Sequence, residues 1–430
     1  MMTAAIFAVL FLFILLGLPI AVCMGFTAVI FFVVIGQADV LLMLPARMYS
    51  GTTSFTLLAI PFFILAGNLM NTGGMTQRLV HFAQCLVGHI RGGLGHVTVV
   101  TNMIMAGMSG SAVADATGTG VVLIPAMEKA GYPRDFSAAL VGAASTIGPI
   151  IPPSIPFVIF GSITGTSVGR LFLGGFLPGV LMGLFLMITV AILSKRRGYR
   201  REERASRQEL LIAALQATPA WGAPIIIIGG ILAGVFTPTE AAVAASLYAL
   251  ILGMLVYREI KMADLPRILW ETVQNTVQVM FIIAAAGIFG FLLIRQQVPM
   301  TLVEGLMSLT TTPWVVLLII NVILLILGCF MEAIAIMLLT IPVFMPLIAR
   351  VGVDPVHFGV VLTLNLMIGL LTPPVGMCLY AVSAISKVPL WPLAKELWPY
   401  IVALTVCLFL ITYIPGLVLW IPNLVMGVAK

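Results

Sequence analysis

The stretch Ile147–Ser154, IGPIIPPS, breaks an apolar run that otherwise has the length of a membrane helix. A second stretch, Ile368–Gly376 with the sequence IGLLTPPVG, breaks a later apolar run in the same way. Proline removes one backbone N–H and frees the carbonyl four residues earlier, so two adjacent prolines interrupt a helix. In hydrocarbon, freed carbonyls are tolerated only where they line a cavity or are buried in protein. The two breaks therefore predict two functional interruptions inside membrane helices.

The composition around these breaks is that of a membrane protein. Of the 430 residues, 61% are hydrophobic and 8% are charged, whereas soluble domains are typically about 25% charged. The apolar runs are continuous rather than alternating, which favours membrane helices over a β-barrel. The sequence thus predicts an all-α polytopic membrane protein. The predicted spans lie near residues 3–17, 19–36, 54–71, 136–163, 171–194, 221–236, 240–257, 270–294, 356–385 and 398–420.

Two further apolar regions fit a re-entrant hairpin better than a single span. Residues 97–128 and 314–349 each contain two short apolar arms around a polar or glycine-containing middle. Such a segment enters and leaves the membrane on one side, with its tip enclosed by protein. The amphipathic segments 72–96 and 387–397 are predicted to lie flat at the cytoplasmic interface, as arms that brace a moving part.

The basic segment Ser194–Arg207, SKRRGYRREERASR, sets the predicted orientation. It contains seven of the 21 Lys and Arg residues, and positive charge is concentrated in cytoplasmic loops. Counting spans from this segment places both termini outside, with 16 basic residues inside and five outside. The five outside are Arg47, Arg170, Arg295, Arg350 and Lys430.

The two halves of the chain repeat each other at a constant offset of 221 residues. Each half has three spans, a hairpin and two more spans, and five is an odd number, so the second half is predicted to be inverted in the membrane. The first inverted repeat is residues 1–194, a cytoplasmic linker is 195–220, and the second repeat is 221–430. The matching positions are Gly107 and Gly328, Pro125 and Pro346, Gly131 and Gly352, Gly148 and Gly369, Ser162 and Ser383, Pro178 and Pro399, and the pairs Pro152/Pro153 and Pro373/Pro374.

Each half brings one hairpin tip toward one proline-broken helix. The tips are residues 107–118, GMSGSAVADATG, and 328–333, GCFMEA. Freed carbonyls together with Ser and Thr hydroxyls are oxygen ligands that suit a hard cation, and the N-termini of half-helices favour an anion. We therefore predict two pseudo-symmetric cation sites with an anionic solute between them. For either motif taken singly, a kinked packing helix is an equally simple interpretation.

Two acidic residues near the tips are candidates for the site. Asp115 and Glu332 either contact ion or solute directly, as intramembrane acids often do, or cap a helix or make a structural contact. Glu240, in TPTEAA, fits a helix cap. The four histidines show no pattern of metal ligands, and the five cysteines form no CxxC pair and are interpreted as small buried residues.

Several classes of protein are excluded by missing motifs. The sequence has no GxxxxGK[ST] phosphate loop, so ATP is not expected to be the direct energy source. It shows no HExxH motif and no nucleophile–base pair, which makes an intramembrane enzyme a poor alternative. The net charge of +6 comes from loop residues that orient the protein, and it does not indicate nucleic acid as a partner.

Five motifs resemble the large membrane subunit of tripartite ATP-independent periplasmic (TRAP) transporters, and together they cover essentially the whole chain. They are AIPFFILAGNLMNTGG at 59–74, SGSAVAD at 109–115, GPIIPPSIPFVIFG at 148–161, TPTEAA at 237–242 and GLLTPPVG at 369–376.

The resemblance implies a multi-pass protein of a bacterial inner membrane that takes up an organic acid with the sodium gradient. It implies Na⁺ as the coupling ion, without ATP or an organic cofactor. Its implied partners are a periplasmic solute-binding protein and a separate small membrane subunit of four spans, besides membrane lipid. Family substrates include C4-dicarboxylates, sialic acid, sugar acids and keto acids. The implied mechanism is of the elevator type, in which hairpins and broken helices slide against a scaffold.

The resemblance also assigns residues to sites. The solute is expected between the tips, near Ser111, Pro153 and Pro374, and the acids Asp115 and Glu332, chosen because they lie near the tips, are added as candidates for contact with it. One sodium site is expected to involve Gly107, Ser109, Ser145, Gly148, Ile151 and Ser154. The other is expected to involve Gly328, Gly369, Thr372 and Val375.

Two other functions remain open on the sequence alone. One is an autonomous exchanger of ions, organic anions or drugs, of related architecture, which works without a binding protein. The other is a passive channel, which never carries solute beyond the equilibrium set by its own gradient. The sequence does not identify the solute, the sodium stoichiometry or the conformational state.

Overall fold

The structure is a computed structural model that describes residues 2–199 and 203–428, and the regular structure in these two stretches is entirely helical. The helices of the first half are α1 Met2–Leu15, α2 Ile20–Val34, α3 Leu44–Thr52, α4 Ala59–Thr72, α5 Met75–Val87, α6 Gly93–Ser109, α7 Ala112–Lys129, α8 Arg134–Ser145, α9 Ile155–Thr164 and α10 Val168–Arg197.

The regular structure of the second half is also helical. Its helices are α11 Arg207–Ala217, α12 Gly222–Leu232, α13 Pro238–Ile251, α14 Leu265–Arg295, α15 Val298–Leu309, α16 Pro313–Gly328, α17 Ala333–Arg350, α18 Pro355–Gly369, α19 Met377–Ser386, α20 Leu390–Tyr413 and α21 Gly416–Met426. Short 3₁₀ turns occupy Ala38–Met43, Phe55–Leu58, Thr218–Trp221 and Met262–Asp264, and a π-helical turn occupies Leu252–Val256.

Seven helices in the described residues are long and apolar enough to cross a membrane, which makes the protein an all-α polytopic membrane protein. Three of the shorter apolar helices, α9, α18 and α19, are half-helices, because each proline break divides one predicted span in two, α8 and α9 or α18 and α19. The seven are Phe55–Thr72, Val168–Arg197, Arg207–Leu232, Pro238–Val256, Met262–Arg295, Ala333–Arg350 and Leu390–Tyr413.

The helix boundaries follow the 221-residue offset. The second hairpin arms, α7 and α17, each have 18 residues and begin at Ala112 and Ala333. The offset reaches beyond the stretch in which the sequence motifs match, since α3 begins at Leu44 and α14 at Leu265. The halves differ here, because α14 is continuous for 31 residues where the first half has the separate helices α3 and α4.

The structure corrects the prediction of a separate flat segment at 387–397. From Leu390 these residues are the first turns of α20, because a buried stripe of Leu393, Leu397 and Leu404 runs on one helix face across the predicted boundary. The predicted span at 398–420 is also wrong at its end, since α20 stops at Tyr413, two residues before Pro415. At the 221-residue offset, the counterpart of α5 is α15, which the sequence analysis missed.

Polar contacts between distant segments join residues that were predicted on one side of the membrane. Two such pairs lie on the predicted cytoplasmic side and two on the outer side, so they agree with the predicted order of spans; which side is cytoplasmic stays a prediction. Arg200, Arg201 and Glu202 of the basic segment, and Lys430, lie outside the described residues. The four pairs are Arg78–Glu259 at 3.3 Å, Arg197–Glu396 at 2.9 Å, Arg295–Gln37 at 2.6 Å and Arg170–Asn423 at 2.6 Å.

The two halves interlock rather than fold side by side. Helix α4 of the first half packs along α13 of the second, α2 and α3 pack along α14, and α8 contacts both α19 and α20. A buried amide cluster fixes the second hairpin to this core: Asn365 Nδ2 donates to Asn321 Oδ1 at 2.8 Å, and Asn321 Nδ2 donates to Thr412 Oγ1 at 3.0 Å. These contacts place both hairpin tips and both helix breaks around one space.

Candidate functional site

A cavity of about 960 Å³ lies between the hairpin tips, the helix breaks and the helices α4 and α14. Both halves contribute to its wall: the first tip from Ser109 to Ala114, the second tip from Glu332 to Ile334, and one face of α14. Nearby breaks contribute Pro149 and Leu370. The cavity is therefore where a solute can meet both repeats at once.

Five helices begin at this cavity, among them α2, whose N-cap Pro19 and first residue Ile20 line it. Ser111 is the N-cap of α7 and accepts a hydrogen bond from the Ala114 amide, and Glu332 is the N-cap of α17 and accepts one from the Ala335 amide at 3.2 Å. The first residues of α9 and α19, Ile155 and Met377, also line the space. Amide N–H groups at a helix N-terminus attract an anion. Among the described residues, the lining contains no Lys, Arg or His, so these helix ends are its positive groups.

The residues predicted for the first sodium site lie close together. The carbonyl of Ser145 accepts the Gly148 amide at 3.0 Å, inside the break that follows α8. Ser154 caps α9, and its hydroxyl donates to the Pro149 carbonyl. The tip residue Gly107 faces this break, since a Cβ placed there would lie 3.8 Å from the Pro152 carbonyl oxygen.

Asp115 lies with this group and not in the lining of the cavity. Its side chain is fully buried, and Oδ1 accepts a hydrogen bond from the Ser109 hydroxyl. The other oxygen, Oδ2, has no hydrogen-bond partner in the described part of the chain. It lies against Gly148 so closely that a Cβ there would overlap it. A buried carboxylate without a cationic partner is costly, so a hard cation bound beside it fits this cluster of oxygens.

The residues predicted for the second sodium site gather around two glycines in direct contact. A Cβ added to Gly328 would lie 2.8 Å from the Gly369 Cα, and one added to Gly369 would lie 2.7 Å from the Gly328 Cα. Only residues without a side chain allow the hairpin to meet the break so closely. The Val375 amide donates to the Cys329 carbonyl at 3.0 Å, and the Thr372 hydroxyl donates to the Ile368 carbonyl at 2.9 Å. All four residues predicted for this site are thus brought together.

The residues predicted to contact the solute are divided by the structure. Ser111 and Glu332 line the cavity at equivalent positions of the two halves. Pro153 is buried, with its carbonyl against Gly110, and Pro374 is exposed; neither is in the described lining. Glu240 forms a capping box with Thr237, so the predicted helix cap is confirmed.

Sequence reasoning missed the polar face of α14. Glu271, Gln274, Asn275 and Gln278 all line the cavity, and their spacing puts them on one side of the helix. The signal was present as the polar cluster ETVQNTVQ, residues 271–278, near the start of an apolar span.

Comparison with known proteins identifies the family. Residues 7–417 match the model of the DctM component of the tripartite ATP-independent periplasmic transporter. The chain is 44% identical to the sialic acid TRAP transporter large permease protein SiaM of Vibrio cholerae, over 88% of each chain. It is 42% identical to the C4-dicarboxylate TRAP transporter large permease protein DctM of Pseudomonas aeruginosa, over 81% of each.

A solved structure supports the fold. The YdaH transporter of Alcanivorax borkumensis, described as having an unusual topology, superposes with a TM-score of 0.65. The match covers 88% of this chain and 89% of that one at 15% identity, so it bears on the fold alone. The family match and the curated relatives determine the identity: this chain belongs to the DctM family, the large permease component of tripartite ATP-independent periplasmic transporters.

Proposed function

We propose that the protein carries an organic acid across the bacterial inner membrane, coupled to sodium entry. The observation that supports this best is a cavity at which five helices begin, beside two clusters of oxygen ligands. An organic carboxylate suits the helix N-termini, and the oxygen clusters suit sodium. Relatives named as sialic acid and C4-dicarboxylate TRAP permeases support an organic acid as the solute.

The first sodium ion would be held by Ser109, Ser145, Gly148 and the buried carboxylate of Asp115. The second would be held by Gly328, Gly369, Thr372 and the backbone near Val375. A bound sodium ion supplies positive charge that offsets the carboxylate and fixes the loops that form the breaks. Ser111 and Glu332 then cap the two hairpin helices at the solute, and their caps orient the amides that face it.

In the predicted orientation, the cavity opens toward the cytoplasm. Its wall includes Asn71 and Thr72 at the end of α4, and Glu271 near the start of α14. Both helix ends are on the predicted cytoplasmic side. We therefore assign this conformation to the inward-facing state of an elevator, in which the hairpins and broken helices move against α4 and α14.

The proposal includes two partners, as the family of the chain implies. A periplasmic binding protein delivers the solute, and a small membrane subunit completes the complex. An autonomous exchanger would need neither. Activity of the large chain alone in liposomes would contradict the tripartite assignment, whereas uptake only with both partners supports it.

The first test of the proposed function needs no knowledge of the solute. The complex with its small subunit is unfolded by heat in sodium chloride and in choline chloride at equal ionic strength. A ligand that binds only the folded state stabilises it by about 2.7 kcal/mol at a hundredfold excess over Kd. We expect a saturable rise in melting temperature that is specific to sodium. Equal melting in the two salts would contradict sodium coupling, and the same titration against pH would then test protons.

A further inference from the structure

The wall of the cavity that α14 forms is a stripe of uncharged amides and one acid. Gln274, Asn275 and Gln278 follow Glu271 at spacings of three, four and seven residues, so one face of α14 carries all four. The apolar neighbours Val273 and Val277 are 50% and 59% exposed and do not line the cavity. The helix therefore separates a polar face toward the cavity from an apolar face away from it.

The amides of this stripe have free hydrogen-bonding capacity. Within residues 2–199 and 203–428, no hydrogen bond engages the side chains of Gln274, Asn275 or Gln278. Thr272, which lies next to Glu271 but does not line the cavity, is by contrast buried and hydrogen-bonded: it accepts a hydrogen bond from Asn68 Nδ2 at 3.0 Å. Each free amide offers both donors and an acceptor to whatever fills the cavity. A ligand with hydroxyl or acylamino groups can pair with both, because these groups both donate and accept hydrogen bonds.

The charges on the cavity limit what the solute can carry. Four of the five helix N-termini at the cavity belong to the hairpins and breaks, and a carboxylate binds best where they gather. The α14 wall has Glu271, whose partner is the 63% exposed Arg267 at 4.0 Å, and Glu332 at the second tip is a second acid on the lining. A second carboxylate on the solute would face these acids without a basic side chain in the described lining. Hydroxyl groups, in contrast, donate to carboxylates and exchange hydrogen bonds with amides.

We propose that the amide stripe of α14 is a scaffold-side recognition surface, and that the solute is a monocarboxylic acid with several hydroxyl or acylamino groups, not a small dicarboxylate. This inference rests on the proposed function, because it assumes that the cavity holds the transported acid. The carboxylate binds at the helix N-termini, and the hydroxylated part of the molecule contacts Gln274, Asn275 and Gln278. The volume of about 960 Å³ accommodates an acid of sugar size.

The test compares three probes on the purified complex with its small subunit: N-acetylneuraminate, D-gluconate and succinate. Each is titrated in sodium chloride, and Kd is obtained from the rise in melting temperature. We expect saturable stabilisation by at least one hydroxylated acid and none by succinate. In Gln274→Leu and Gln278→Leu we expect that Kd rises about fivefold to tenfold, as one lost hydrogen bond predicts. Val277→Leu, on the apolar face, is the matched control and should keep the Kd of the unchanged protein.

Three outcomes would overturn this inference: stabilisation by succinate alone, no response to either hydroxylated acid, or an unchanged Kd in both glutamine variants. The sodium titration without solute is run on the same samples. If sodium still stabilises the complex, only the assignment of solute class fails. If sodium has no specific effect, the proposed function fails instead.

Discussion

At the scale of residues, the two candidate cation sites have different charges. Asp115 belongs to the first, and the equivalent position 221 residues later is Ile336, which is buried and apolar. The second site is made of backbone and one threonine hydroxyl. The repeat thus conserves the place of both sites, but it gives a carboxylate to only one of them.

Replacing Gly369 with Val should abolish the sodium-specific rise in melting temperature and the uptake that depends on it. The new side chain would collide with the Gly328 backbone, which a Cβ alone already approaches to 2.7 Å. Gly290→Val is the matched control, since its Cβ meets nothing within 4 Å. The measurement is thermal unfolding against sodium concentration.

A milder variant distinguishes loss of the site from loss of the fold. Thr372→Val keeps the shape of the side chain and removes only the hydroxyl, so it should assemble with the small subunit while its apparent affinity for sodium falls. An unchanged sodium titration in both Gly369→Val and Thr372→Val would count against the second site.

Much of the site could be predicted at this scale because proline and glycine constrain the backbone locally. The paired prolines and the 221-residue offset identified both breaks, and the structure brings together the four residues that the resemblance assigned to the second site, whose sodium-binding role stays a prediction. The position of Asp115 could not be predicted, because its neighbour Gly148 is distant in sequence. Sequence reasoning placed it with the solute, whereas the structure buries it under the first tip; its role stays a prediction.

At the scale of elements, the two hairpins are anchored differently. The first arm of the second hairpin, α16, is tied to α18 and α20 by Asn321, Asn365 and Thr412. The equivalent positions in the first half are Val100, Ala144 and Ala191, which have no side-chain donors. The second hairpin is therefore held to its broken helix by hydrogen bonds that the first hairpin lacks.

Replacing Asn365 with Ala should lower the free energy of unfolding by about 1–3 kcal/mol, because it leaves the buried oxygen of Asn321 without its donor. Thr405→Ala is the control, since its hydroxyl donates to the Ile401 carbonyl within the same helix; we expect a change within about 0.5 kcal/mol there. Chemical unfolding in detergent measures both. Equal effects of the two substitutions would refute the anchoring role.

The elements also show where pattern reading fails. The sequence predicted the strongly apolar helices and the proline breaks. It missed α15, because this helix is short and only moderately apolar and does not form an apolar run of membrane length. The amide face of α14 was overlooked because the surrounding span is apolar enough to be assigned as one unit. The spacing of polar residues in ETVQNTVQ indicates the face, but only the structure shows that it lines a cavity.

At the scale of the whole molecule, the proposed elevator requires the hairpins to move past α4. Gly118 on α7 and Asn71 on α4 meet across this boundary, where a Cβ on Gly118 would lie 3.4 Å from Asn71 Cγ. Asn71 Cγ marks roughly where a cysteine Sγ would lie, so the two positions are close enough to test for a disulfide. Oxidation of an Asn71→Cys, Gly118→Cys double variant should therefore lock this state.

We expect that the oxidised double variant, with the five native cysteines replaced, loses sodium-driven uptake in proteoliposomes and regains it on reduction. Each single-cysteine variant under the same oxidant is the control. Full uptake by a protein whose cross-link is shown to be complete would exclude relative motion at this boundary.

The constant offset between the halves implies that the gene can be divided into two parts that are expressed together. Each half carries its own hairpin, broken helix and long helix, and the halves meet through packing, as between α4 and α13, and not only through the covalent link after α10. Two polypeptides divided between α10 and α11 therefore contain every contact of the intact chain. Coexpressed, they should find each other as two subunits do, which would turn an internal duplication back into the heterodimer of related chains from which such a protein can arise.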